Sequence, residues 1–192
     1  MSEKKITYCK DYYESREKYN EYIKNHIKAV NEAYETAEKA FKAVFPKVYE
    51  DPDQLMSLQC NLQYHDKSKN NYNEFWAYAM KFFPFEEIPS ELEKFKDGFD
   101  IAWLHHANHN PHHPAYWTLV EDGKIQYFDM PDIYIIEMLC DWMAMSKYYN
   151  STTLDFWFNN PSAKKLPMTL NTKMKITHFM GWMYKNNVHT LW

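Results

Sequence analysis

"DIYIIEMLCDWMAMSKYY", residues 132–149, is apolar on almost every face of a helix. A helix with no solvent side belongs at the centre of a helical protein. Pro131 stands just before it, as at many helix starts. The segment nevertheless carries Glu137 and Asp141, one helical turn apart. An unpaired carboxylate in an apolar interior is costly, so Asp141 calls for a cationic partner. Glu137 can tune such a partner's ligands or pair with a surface cation; its spacing gives it no firmer role.

The chain on either side reads as helices too. Tyr19, Tyr22, Ile23, His26, Ile27, Val30, Tyr34, Ala37, Phe41 and Val44 recur at steps of three and four. That period predicts one long helix over 12–45, ended by Pro46. Asp53 is expected to cap a second helix whose apolar face holds Leu55, Leu58, Leu62 and His65. "NYNEFWAYAMKFFPFEE", residues 71–87, gives a short aromatic helix stopped by Pro84. Ser90 and Glu93 have capping-box spacing, predicting a helix whose stripe runs Leu92, Phe95, Phe99, Ala102 or Trp103, His106 and His109. Asp122-Gly123, between two β-prone runs, is the favoured two-residue hairpin turn. Residues 151–192 supply one or two further helices. The expected fold is all-α: a helical bundle with a small β-hairpin excursion near 118–128, in a single domain over 1–192.

Composition narrows the class. The 192 residues are 45% hydrophobic and 18% aromatic, enough for a sizeable core, and three glycines are too few for a sandwich or barrel. A net charge of −4 argues against a duplex nucleic-acid surface. Cys9, Cys60 and Cys140 are odd in number and widely spaced, so reduced thiols in a cytoplasmic protein are expected. "MSEKKITYCKDYYESREK" at the N-terminus has no apolar core and does not read as a signal peptide. No apolar run is long enough to span a bilayer.

Five of the nine histidines fall within "HHANHNPHHP", residues 105–114. His26 lies on the stripe of the first helix, and His65-Asp66 ends the second. His106 and His109 continue an inward stripe, and Asp141 sits in the most apolar helix. The chain therefore reads His, His-Asp, a histidine cluster, then Asp. By stripe position His106 is preferred to His105. Pro111 and Pro114 stop the helix near Asn110 and let the chain double back, bringing His112 or His113 to the same place. His178 and His189 fit no pattern and read as structural or exposed.

That order resembles the HD-domain superfamily, all-helical metalloproteins that are mostly metal-dependent phosphohydrolases. "LQYHDKSK", residues 62–69, is similar to its apolar-x-x-His-Asp-x-x-Lys segment, with Lys69 at the lysine position. The resemblance covers about residues 15–150. "HANHNPHHPAYW" with "EMLCDWMAMS" is also similar to a phage-associated HD-like group. The glycine-tyrosine-proline signature of the cyclic-dinucleotide-cleaving branch is absent from the sequence. The resemblance implies that His26, His65, Asp66 and Asp141 hold one metal. In subfamilies with added histidines it implies a second ion on His106 and one or both of His112 and His113, bridged by Asp66.

Imidazole and carboxylate ligands without thiolate suit manganese, iron, cobalt, nickel or zinc. The leading expectation is a metal-dependent phosphohydrolase acting on a small phosphorylated molecule, a nucleotide by family analogy. Lys69 would meet a phosphate, or lie at a solvated helix end. His109 would orient a ligand or donate to substrate. Asn110 and Trp117, beside the proposed ligands, would contact substrate, in an aromatic wall with Tyr116 and Trp142. The alternatives are an HD-type diiron oxygenase and a metal-containing binding module without turnover.

Overall fold

A computed structural model describes residues 8–188. The described residues are all-α with one small hairpin, as the periodicities imply. The helices are α1 (Tyr12–Val44), α2 (Pro46–Glu50), α3 (Pro52–Gln63), α4 (Tyr72–Phe82), α5 (Phe99–His109), α6 (Asp132–Tyr148), α7 (Thr153–Asn159), α8 (Pro161–Lys164) and α9 (Leu170–Lys185). Strands β1 (Thr118–Glu121) and β2 (Lys124–Tyr127) pair antiparallel, with Val120 opposite Ile125. Asp122 and Gly123 take φ of 50° and 71°, the left-handed pair that a two-residue hairpin turn needs. His189 lies outside the described residues; His178 is exposed. None of the described helices is long and apolar enough to cross a membrane.

The described chain forms two compact units, one of residues 8–25 and 66–110, the other of 26–65 and 111–188. In the second unit, α6 contributes fully buried Ile135, Ile136, Leu139 and Met143 to a core shared with Val30, Phe41, Leu58, Leu62, Ile176 and Phe179. Phe41 and Phe179 stack with centroids 4.7 Å apart. The central place expected of the 132–149 segment follows from its having no polar face. In the first unit, Tyr19 meets Phe75 edge-on at 4.9 Å. Ser15 Oγ donates to the Phe83 carbonyl at 2.7 Å, tying α1 to the end of α4.

Three local expectations are corrected. Asp51, not Asp53, caps α3: its carboxylate accepts the Asp53 and Gln54 backbone N–H groups, and Pro52 fills the first helical position. Ser90 caps nothing. Residues 90–97 form turns and a single 3-10 stretch, Glu93–Phe95, and α5 starts only at Phe99 after Gly98. Residues 151–188 hold three helices, because Asn160-Pro161 restarts a helix where one was expected to run out.

The cap offers a local check. Asp51→Ala is expected to cost about 1 kcal/mol, seen as a lower urea midpoint with an unchanged m-value.

Candidate metal centre

In the second unit the chain brings one carboxylate behind two imidazoles. α3 closes at Tyr64, whose N–H reaches the Cys60 and Leu62 carbonyls, and His65 follows, buried. Beyond α5 the proline-bounded loop presents His112, also buried. The Trp117 indole N–H donates to the Pro111 carbonyl at 2.7 Å and pins that loop. Glu137 Oε1 lies 2.9 Å from His65 Nδ1 and 3.1 Å from His112 Nδ1. A carboxylate can only accept, so both facing nitrogens carry the proton. Each ring's lone pair is then on Nε2, the atom a cation takes.

Asp141, one turn further along α6, supplies the anionic donor. Its Oδ1 lies 3.2 Å from His26 Nε2 and 3.9 Å from His65 Nε2. The rings of His26 and His65 are 5.3 Å apart, those of His65 and His112 4.4 Å. One donor atom from each of His65, His112 and Asp141 lies within 4.8 Å of the other two. Donors sharing an ion at about 2.0–2.2 Å stand roughly 3–4 Å apart, so side-chain adjustment closes this set on a cation. These residues can hold a metal ion. The His113 ring lies beside His112, tilted by 46° with centroids 4.2 Å apart.

The electrostatics suit a cation. Burial disfavours the charge on Glu137, but hydrogen bonds from His112 and His65 outweigh it and hold the carboxyl down at about 2. At Asp141 burial is likewise overcome by His26 and His65, leaving it well below the ordinary carboxylate range. Burial pushes the Cys140 thiol well up, so the sulfur between these carboxylates stays protonated and is no thiolate ligand.

The first unit repeats the motif. Glu74, almost fully buried in the first turn of α4, accepts from His105 Nδ1 at 2.5 Å and stands 3.1 Å from His106 Nδ1. Ser68 Oγ donates to the same Glu74 oxygen that faces His106, and Asn110 Nδ2 donates to Ser68 Oγ, each at 2.9 Å. Burial disfavours the Glu74 charge, but hydrogen bonds from His106, His105 and Ser68 outweigh it and keep the carboxyl low. His106 Nε2 is 3.0 Å from Asp66 Oδ1. Asp66 has φ 57°, a left-handed conformation that aspartate tolerates better than most residues. Lys69 Nζ reaches Asp66 Oδ2 at 2.5 Å and lies 5.3 Å from the Tyr78 ring centroid.

Within the second unit, then, His26, His65, His112 and Asp141 come together with His113 alongside; within the first, Asp66, Lys69, His106 and Asn110 do. His106 is buried and His105 points outward, as the stripe implied. The inward placement of His109 is corrected. It is exposed at the last residue of α5, donating Nδ1–H to the His105 carbonyl at 2.7 Å and stacking on the His105 ring. Trp117 packs against the core beside Tyr134. Sequence reasoning misses Glu74 and gives Glu137 no firm role. The only available signal was a carboxylate in an otherwise apolar or aromatic helix, and Glu74 was hidden by looking like an ordinary first-turn acid.

No curated protein and no solved structure matches the chain. Residues 15–180, most of its length, match a family of unknown function, DUF5662. The chain belongs to that family.

Proposed function

We propose that the chain is a metal-dependent phosphohydrolase for a small phosphorylated molecule, nucleotides being the first class to test. The observation that carries the proposal is Glu137 holding two imidazoles in the tautomer that offers Nε2, one turn from Asp141. His65, His112 and Asp141 would hold the cation, with His26 beside Asp141 as a fourth donor. Asp66 and His106, with Glu74 behind the imidazole, are the pair offered to a second ion. When bound, a divalent ion supplies Lewis acidity that lowers the pKa of a water and polarises a phosphoryl oxygen. In the first unit's own cluster Asp66 holds the Lys69 ammonium, a group that would meet a phosphate there.

The test is elemental analysis of untagged protein, followed by phosphate release from nucleotides and simple phosphomonoesters with added manganese, cobalt or nickel. His112→Ala is expected to lose about 10²-fold or more in metal affinity, one of the imidazole donors having gone. Metal retention unchanged in His112→Ala removes the centre. Metal bound with no phosphate released from any substrate removes the hydrolytic reading, and iron with dioxygen uptake replaces it with oxygenase chemistry.

A further inference from the structure

We infer that the second unit carries a separate pocket for a small organic ammonium ion, at the turn from α6 into α7. A cavity of about 270 Å³ opens there, lined by Trp142, Met145, Ser146, Tyr149, Asp155 and Phe156 among others. Trp142 and Phe156 meet edge to face at 71° with centroids 5.0 Å apart, and both line the cavity. Trp157 backs Trp142 at 5.9 Å and is anchored by its indole N–H to Thr177 Oγ1. The turn is built in advance. The Ser151 N–H donates to the Ser146 carbonyl at 2.9 Å, and Ser146 Oγ meets Thr153 Oγ1 at 3.2 Å in the interior. Asn150 takes φ 52°, and Thr152 caps α7 by accepting the Asp155 N–H.

Charge selects the ligand. Aromatic faces are negative and attract cations, tryptophan most strongly. Asp155 adds the lining's one carboxylate, and no lysine, arginine or histidine lines the cavity. Its Oδ1 accepts from Asn159 Nδ2 at 2.8 Å, which steadies the carboxylate. An anion would find no cationic partner here, and a transition metal would find no imidazole. The volume lies below the roughly 300–1,000 Å³ of pockets for drug-sized ligands, so it fits a head group such as trimethylammonium. The pocket uses none of the proposed metal ligands, so it stands or falls independently of them.

Calorimetry on the full chain, with and without chelator, tests this using choline and its neutral carbon isostere, 3,3-dimethyl-1-butanol. Choline is expected to bind saturably in the millimolar range, and the isostere at least about tenfold more weakly, since only the cation gains from the ring faces. Asp155→Asn, an exposed substitution, is expected to weaken choline several-fold and leave the isostere unchanged. Trp142→Phe keeps a smaller aromatic face and is expected to give intermediate affinity. Equal binding of both compounds, no saturation with choline, or an Asp155→Asn protein indistinguishable from wild type overturns the inference.

Discussion

Asp141→Asn protein is expected to emerge from purification without stoichiometric metal and to release no phosphate above background. The substitution keeps the shape of the side chain and removes its charge. Asp141 is the anionic donor of the set and faces His26 and His65 from a largely buried position, its side chain 14% exposed. Removing one charged partner from a buried pair costs about 3–5 kcal/mol, and each 1.4 kcal/mol is about tenfold in affinity. Metal affinity should therefore fall by roughly 10²-fold to several thousand-fold. Circular dichroism should show the helices retained, because Ile135, Ile136, Leu139 and Met143 still hold α6 in its core. Asp141→Asn protein that keeps metal at wild-type affinity would sink the centre.

Helical period carried most of the fold. The stripe from Tyr19 to Val44 predicted a helix over 12–45, and α1 runs Tyr12–Val44. The uniformly apolar 132–149 segment became the buried centre of its unit, and Asp122-Gly123 made its turn. Failures came where two local signals competed. Ser90-x-x-Glu93 looked like a helix start, but Asp97-Gly98 is a turn signal of the same kind as Asp122-Gly123, and it set the start of α5. A Cβ at Gly98 would sit 3.3 Å from the Phe95 carbonyl oxygen, which favours glycine there. At Asp51, the following Pro52 fixed the start of α3, which puts the cap two residues before the expected one.

The site was legible in its imidazoles and not in its supports. His26, His65, His112 and Asp141 could be named because histidine is scarce and a carboxylate in an apolar helix is conspicuous. Glu74 and Glu137 act by accepting Nδ1–H from residues 25 to 72 positions away in the chain. No local period encodes a partner that distant. The exposure of His109 has a different cause. Three residues after His106 it lies close to the inward face, but α5 ends there and the side chain turns to its own helix and solvent.

Glu137 should separate positioning from ligation. Both imidazoles bond the same oxygen, Oε1, so Glu137→Gln retains an acceptor where they point and loses only the charge. Metal affinity is expected to fall about tenfold in Glu137→Gln and nearer 100-fold in Glu137→Ala, the range for partners behind a metal-bound histidine. Acid titration of the metal-free protein gives a second readout. The carboxyl sits at about 2 in the fold against an ordinary 4.5. A depressed carboxyl stabilises the fold fully above its unfolded value and loses that contribution as pH falls through the folded one. Wild-type stability should thus drop by on the order of 3 kcal/mol between about pH 4.5 and 2 from this group. Glu137→Gln has nothing to titrate there and should lose less over the same interval, while starting from a lower stability at pH 7. Parallel acid curves for the two proteins would mean that Glu137 is not held ionised by His65 and His112, and the tautomer argument for the centre would lose its basis.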